Sequence, residues 1–166
     1  APMCLSVALS PDMSRAVVGA HDGSVRMFDV ETGKSVTPCM DGHSGPVRSV
    51  AFVPGESGAV VTCSDDGLVN YFDLDAAHIA ISLRGHPGMV LSVAPSPCGK
   101  YVASGGTDRN VMIWDKKMRE SVFQVKFHDD SIWGVAYVSD GSRIVSVGDD
   151  ESIGVIDCHN ADQVKF

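Results

Sequence analysis

The residues of this chain that most suggest chemistry are combinations of a histidine, a hydroxyl and an aspartate. The clearest combination holds His86, Ser104 and Asp108. In a catalytic triad the histidine takes a proton from one exposed nucleophile beside an oxyanion site, and the aspartate orients the histidine. Comparable sets occur on either side of it: His43, Thr62 and Asp66, and His128, Ser146 and Asp150. A combination that recurs in this way indicates a structural network rather than one active site.

The clearest set can satisfy its own hydrogen-bonding groups if Trp114 is added to it. An indole only donates, serine and neutral histidine both donate and accept, and a carboxylate accepts. A chain from Trp114 through Ser104 and His86 to Asp108 therefore leaves no member without a partner.

The other sets depart from this pattern. Phe72 replaces the indole in the second unit, and Ile156 replaces it in the fourth. The first unit keeps only Asp22 and Phe28, with Val18 at the serine position. We therefore expect the third unit to be the most strongly tied and the first unit the least.

The histidines and cysteines do not predict a metal site. His43, His86 and His128 occur once per unit, so they lie on separate units rather than converging. The cysteines form no C-x-x-C pair and their number is odd, which argues against a zinc site and a disulfide framework. We expect no cofactor and five free thiols: Cys4, Cys39, Cys63, Cys98 and Cys158.

These sets are positioned by a repeat that runs through the whole chain of 166 residues. An aromatic or aliphatic residue followed by Asp recurs at intervals of 44, 42 and 42 residues. A fixed period of about 40–45 residues is typical of a repeat architecture. The four pairs are Phe28-Asp29, Phe72-Asp73, Trp114-Asp115 and Ile156-Asp157.

Each unit is predicted to contain four short antiparallel strands. In the third unit the apolar runs and turn signals place them at Met89–Ala94, Tyr101–Ser104, Val111–Trp114 and Ser121–Lys126. In the first unit the fourth strand is expected near Ser35–Met40. A single small sheet cannot bury both of its faces, so sheets stacked around an axis are favoured, as in a β-propeller.

Composition excludes several classes of function. Thirteen basic residues stand against 21 acidic ones, giving a net charge of −8. This balance disfavours direct binding of nucleic acid and of anionic membrane surfaces. Hydrophobic residues make up 44% of the chain, which is enough to build a core.

The motifs resemble those of WD-repeat proteins. The pairs Gly42-His43 and Gly85-His86 precede Phe72-Asp73 and Trp114-Asp115, and Ser104–Asp115 reads SGGTDRNVMIWD. The resemblance implies an all-β propeller segment in which the histidine networks staple the strands of each blade. It also implies a non-catalytic scaffold for protein partners in a multisubunit complex. The blades are expected at about residues 1–40 (blade A), 41–83 (blade B), 84–126 (blade C) and 127–166 (blade D).

A narrower resemblance concerns the last repeat. Ile132–Val135 and Gly141–Asp150 are similar to the end of WD-repeat subunits shared by the superkiller complex of cytoplasmic RNA decay and the polymerase-associated factor complex of transcription elongation. This similarity implies a location in the nucleus and cytoplasm. The alternative is a generic adaptor of a ubiquitin ligase or signalling assembly, and a propeller enzyme is disfavoured. The tail His159–Phe166 has no assigned role.

Partners are expected on the face that carries the loops entering the first strands and the turns between second and third strands. We call this the top face, and loops on a rigid scaffold are where function concentrates. The residues expected there are Leu5, Arg48, Met89, Leu91 and Trp133 in the first strands, and His21, Asp65, Thr107 and Asp149 in the turns.

Trp133 is the most informative residue of this face. Blade D has no tryptophan at the staple position, so Trp133 is either a binding hot spot or a residue packed between blades. With Leu5, Met89 and Leu91 it could form an apolar patch. Rimming charges from Arg48, Asp65 and Asp149 would favour a partner peptide that carries arginine.

The blade count also has a consequence for association. The resemblance implies a ring of seven blades, and four units would leave one face of blade A and one face of blade D open. Open faces expose apolar surface and strand edges. We expect about three further blades upstream, and self-association of the isolated four-blade segment.

Overall fold

The computed structural model describes residues 2–56 and 58–158, together with the backbone of residues 163–165. These residues form four sheets, each built from four consecutive antiparallel strands. The all-β prediction with four blades is thereby confirmed. The described residues supply four blades of the expected ring, whose seven-fold size stays a prediction.

The strands follow the chain in a simple meander. Blade A contains β1 (Cys4–Leu9), β2 (Arg15–Ala20), β3 (Ser24–Asp29) and β4 (Met40–Asp41). Blade B contains β5 (Val47–Phe52), β6 (Ala59–Ser64), β7 (Leu68–Asp73) and β8 (His78–Arg84). Blade C contains β9 (Val90–Pro95), β10 (Tyr101–Gly106), β11 (Asn110–Asp115) and β12 (Glu120–Lys126). Blade D contains β13 (Ile132–Tyr137), β14 (Arg143–Gly148), β15 (Ile153–Asp157) and β16 (Gln163–Lys165).

Two predicted strand positions were wrong. The fourth strand of blade A is Met40–Asp41 and not Ser35–Met40, with one isolated bridge between Phe28 and Ser35. Pro38 lies inside the predicted segment and has no N–H to give to a ladder. The first strand of blade C begins at Val90 and not at Met89, whose N–H and carbonyl bond to Thr107 instead.

A bulge at the start of each first strand sets which residues face the core. In all four blades one residue of the first strand is left over in the pairing with the second strand. The extra residue shifts the alternation, so positions three apart share one face. Val90 and Val93 accordingly lie in the same hydrophobic core, as do Ile132 and Val135 in the next one.

Three hydrophobic cores lie between successive blades. Each core combines the second and third strands of one blade with strands of the following blade, and the first strands of neighbouring blades contact one another. Gly105 permits a close approach between blades, because a Cβ there would lie 2.6 Å from Ile132 of blade D. Representative members are Val17, Met27, Val50 and Phe72 between blades A and B, Val61, Tyr71, Val93 and Trp114 between B and C, and Ala103, Ile113, Ile144 and Ile156 between C and D.

The two terminal blades each present an open apolar face. Val7 of β1 is 66% exposed, whereas its counterpart Val93 in blade C is 5% exposed. Ile153 of β15 is 47% exposed, whereas its counterpart Val111 in blade C is fully buried. The difference follows from position, since blade C is covered on both faces and each terminal blade on one.

We predict that this four-blade chain self-associates through the two open faces. Burying a valine or isoleucine side chain contributes about 1.5–3 kcal/mol, so several such positions together stabilise an association. Light scattering over a dilution series should show species larger than a monomer. The double substitution of Val7→Lys and Ile153→Lys should shift them towards the monomer, while a dilution-stable monomer of the unsubstituted chain would contradict the prediction.

Candidate partner-binding face and its hydrogen-bonded supports

The hydrogen-bond network of blade C contains all four residues that the sequence brings together. His86 Nδ1 lies 2.9 Å from Asp108 Oδ2, and His86 Nε2 lies 2.7 Å from Ser104 Oγ. Trp114 Nε1 donates to the same hydroxyl at 2.8 Å. The side chain of His86 is fully buried, so these contacts are shielded from water.

The donors and acceptors of this hydrogen-bonded network fix the tautomer of His86. Because the carboxylate of Asp108 can only accept, His86 carries its proton on Nδ1 and donates it to Asp108. The bare Nε2 of His86 then accepts the proton of Ser104 Oγ, which itself accepts from the indole of Trp114. Burial by itself would raise the pKa of Asp108, but hydrogen bonds from His86 and Asn110 lower it.

Blade B keeps the network with a different donor. His43 Nδ1 lies 3.0 Å from Asp66 Oδ2, and His43 Nε2 lies 2.8 Å from Thr62 Oγ1. Phe72 cannot donate, and Asn70 instead gives its amide N–H to the Gly42 carbonyl at 2.7 Å. Asn70 is not among the residues predicted from the sequence, although an asparagine in an otherwise apolar strand is a signal that could have identified it.

Blade D also recruits a residue that the sequence analysis missed. His128 Nδ1 lies 2.8 Å from Asp150, and His128 Nε2 lies 2.8 Å from Ser146 Oγ. Ile156 offers no donor, but Ser152 Oγ lies 3.1 Å from His128 Nδ1 and donates to Asp150 at 2.7 Å. Ser152 stands two residues after the repeated aspartate, where Asn110 stands in blade C.

Blade A has the aspartate of this set, Asp22, but no histidine is bonded to its side chain among the described residues. Ser24 donates from its hydroxyl to Asp22 at 2.6 Å. The hydroxyl position holds Val18, which pairs across the sheet with Arg26. Blade A is the least extensively bonded, as expected from the sequence, but blade C does not exceed blades B and D, which gain contacts from Asn70 and Ser152.

The repeated aspartate also shapes the turn between second and third strands. It accepts the backbone N–H two residues later, at 3.1 Å for Ser24, 3.0 Å for Leu68, 3.4 Å for Asn110 and 3.2 Å for Ser152. The intervening residue has a positive φ, which glycine adopts at low cost. These residues are Gly23, Gly67, Arg109 and Glu151, with φ of 85°, 80°, 67° and 59°.

A second contact ties each of these turns to the loop that enters the first strand. The residue before the repeated aspartate donates its backbone N–H to the loop in every blade. The pairs are His21 to Met3 at 2.8 Å, Asp65 to Pro46 at 3.1 Å, Thr107 to Met89 at 2.9 Å and Asp149 to Ser131 at 2.9 Å. The top face is therefore a set of paired segments held on rigid sheets.

The bulged residues of the first strands lie next to these paired segments. They are Leu5, Arg48, Leu91 and Trp133, the same four positions that the sequence places on the top face. A β-bulge re-aims a side chain and is over-represented beside functional sites. The fold thus presents one re-aimed side chain per blade beside the top-face loops.

Exposure separates the predicted surface residues. Trp133 is 56% exposed and Met89 is 45% exposed, so neither is packed between the four described blades. Thr107 and Asp149 are also exposed, and Leu5 is half-buried. Thr107 in addition accepts the Met89 N–H on its hydroxyl at 3.0 Å.

One prediction about this surface was wrong, and a second predicted residue is already paired within the protein. Leu91 is 8% exposed and adds little to an apolar patch, because the first strands of blades B and D flank β9 on both sides. The carboxylate of Asp65 is paired with Arg48, whose Nε and Nη2 each donate to one carboxylate oxygen at 2.7 Å. This bidentate pair neutralises both charges, so Asp65 does not offer its carboxylate to a partner.

The buried networks are not suited to catalysis. The hydroxyl-bearing residues Thr62, Ser104 and Ser146 are at most 1% exposed, so a substrate cannot reach them. Among the described residues no three histidine, cysteine or acidic side chains are grouped to hold a metal ion. The same part of the chain contains no helix long and apolar enough to cross a membrane.

We predict that stability falls at mildly acidic pH through His43. Burial lowers the pKa of His43 below its ordinary value of 6.5, although Asp66 acts in the opposite direction. The unfolded chain therefore binds the proton first, and the free energy of unfolding declines as pH falls below about 6.5. Urea unfolding at pH 7.5, 6.5 and 5.5 should show this decline, and His43→Gln should flatten it. An equal decline in that variant would contradict the assignment.

Comparison with known proteins agrees with the repeats. The family described as "WD domain, G-beta repeat" matches residues 2–29, 34–73, 78–115 and 119–157. A WD repeat-containing protein of Schistosoma mansoni is 36% identical over 153 residues, which is 92% of this chain and 50% of that protein.

More distant matches share the same repeats. A Denticleless protein homolog of Gallus gallus is 33% identical over 121 residues, covering 70% of the chain and 17% of that protein. Actin-interacting protein 1 of Drosophila melanogaster is 28% identical over 151 residues, covering 88% and 24%. The chain thus spans half or less of these relatives. From its repeats, its four sheets and these matches, the chain belongs to the WD-repeat family.

Proposed function

We propose that this protein is a non-catalytic scaffold that binds peptide segments of partner proteins on the top face around Trp133. WD-repeat proteins are in general protein-interaction scaffolds. The observation that carries the proposal is a tryptophan more than half exposed on a bulge of a rigid sheet. Tryptophan is one of the residue types enriched among the hot spots of protein interfaces.

The surroundings of Trp133 suggest the character of the partner segment. Apolar area is supplied by Trp133, Met89 and the half-buried Leu5. Asp149 is exposed in the turn that bonds to Ser131, two residues before the tryptophan. An apolar surface with a carboxylate at its edge suits a peptide that combines an apolar anchor with a basic residue.

The finer proposal concerns the complex. The last repeat, Ile132–Val135 and Gly141–Asp150, is similar to WD-repeat subunits of the superkiller and polymerase-associated factor complexes, which supports a role in RNA decay, transcription elongation or both. Location in the nucleus and cytoplasm is part of this proposal. The second candidate is an adaptor of a ubiquitin ligase or signalling assembly. The relatives carry varied names, which supports an adaptor role that is not tied to one complex.

Affinity purification from cells separates these candidates. The tagged protein should recover subunits of an RNA-decay or elongation complex reproducibly, and a Trp133→Ala version should recover them poorly. Recovery of ubiquitin-ligase or signalling subunits instead would support the second candidate. Recovery of the same partners by both versions would show that the surface around Trp133 is not the binding site.

A further inference from the structure

An open cavity of about 270 Å³ lies on the bottom face, which carries the turns between first and second strands and between third and fourth strands. Its lining includes Glu56, Tyr71, Asp73, Asp75 and Lys116, from blades B and C. Glu56 and Asp75 also line a neighbouring cavity of about 480 Å³ beside blade A. The two cavities therefore adjoin each other at Glu56 and Asp75 and together extend over blades A, B and C. They lie at the end of the sheets opposite Trp133.

The hydroxyl of Tyr71 has no hydrogen-bond partner among the described residues. The residue is 1% exposed, yet it lines the smaller cavity. Burial raises the pKa of Tyr71, and the carboxylate of Glu56 in the same lining raises it further. A buried polar atom without a partner is rare and calls for an explanation, such as a group supplied from outside the protein.

The charges around the cavities are predominantly negative. The linings contain four carboxylates, from Asp12, Glu56, Asp73 and Asp75, against the two basic groups of Arg15 and Lys116. Both basic groups already face a carboxylate, since Lys116 bonds to Glu56 and Arg15 lies 3.6 Å from Asp75. The excess of negative charge favours a cationic ligand.

We propose that the smaller cavity binds the arginine side chain of a basic segment on a partner protein. A guanidinium has five N–H donors in one plane and can bond to several separate acceptors at once. The Tyr71 hydroxyl and the carboxylates of Asp73 and Asp75 are such acceptors. Ala59, Phe72 and Ala80 also line the cavity and would contact the aliphatic stem. This second site is independent of the surface around Trp133.

The test is a titration of the isotope-labelled protein with the capped peptide Gly-Ser-Arg-Ser-Gly, followed by NMR. The arginine peptide should shift the backbone amides of Gly58, Asp75 and Ala80 saturably. A citrulline peptide, which keeps the shape and removes the charge, should bind at least tenfold more weakly. A lysine peptide should also bind more weakly, because an ammonium has three donors and no plane. Equal binding of the citrulline or lysine peptide would overturn the proposal.

Variants of the protein complete the test. Tyr71→Phe removes one hydrogen bond and should weaken binding of the arginine peptide about fivefold. Tyr101→Phe is the matched control, because its hydroxyl accepts from Lys100 outside this cavity and its loss should leave binding unchanged. Trp133→Ala should likewise leave it unchanged. An absence of saturable shifts, or unaltered affinity in Tyr71→Phe, would show that the cavity holds water alone and would overturn the proposal.

Discussion

Replacing His86 by alanine should lower the free energy of unfolding by about 3 kcal/mol. The substitution removes both bonds of a fully buried imidazole and leaves a hydroxyl proton of Ser104 and one side of the Asp108 carboxylate without a partner. Each buried group left unsatisfied costs about 1–3 kcal/mol. Asn110 still donates to Asp108 at 2.9 Å, which keeps the loss from being larger.

Urea and thermal unfolding measure this effect. For a chain of this size, about 3 kcal/mol corresponds to a Tm lower by roughly 6–12 °C. His78→Ala is the matched control, because His78 is exposed on β8 and should change stability by less than about 0.5 kcal/mol. Equal stability of the two variants would mean that the buried network contributes little to the blade.

Replacing Trp133 by alanine should weaken partner binding about 30-fold. Truncating an aromatic hot spot removes about 2 kcal/mol of binding free energy, and each 1.4 kcal/mol is tenfold in Kd. The bulge holds Trp133 at the surface with 56% of its area exposed, so the loss falls on the interface and not on a core. Calorimetric titration with the recovered partner measures the change.

Two controls make that result specific. Trp133→Phe keeps an aromatic ring and should retain most of the affinity. Met118→Ala removes a side chain that is 61% exposed in the turn between β11 and β12, on the bottom face, and should have no effect. An unaltered Kd in a folded Trp133→Ala protein would rule out the tryptophan as a hot spot.

The architecture could be predicted because its signals are local and repeated. Alternating apolar residues and turn residues recur four times, so an error in one unit is corrected by the others. Blade A shows where this fails, since Pro38 confines the fourth strand to Met40–Asp41. The bulges were not predicted, because an extra residue in a ladder depends on the pairing with another strand. The spacing of three between Val90 and Val93 is the sequence signal that accompanies the bulge in blade C.

The candidate site was harder to predict than the fold. The sequence places Arg48 and Asp65 on one surface, but their bidentate pairing depends on the distance between a strand and a turn. The burial of Leu91 depends on the two flanking blades, which no local pattern contains. The roles of Asn70 and Ser152 include contacts across the blade with His43 and His128, which the structure shows.

The central claim, that a partner protein is held on the top face at Trp133, is tested most directly by site-specific photo-cross-linking. A benzophenone amino acid is placed at position 133 in one version of the protein and at position 118 in another, and both are irradiated with the partner recovered from cells. The account predicts a cross-link from position 133 to one defined partner peptide and none from position 118. Cross-linking from position 118 alone, or from neither position while the complex remains intact, would contradict it.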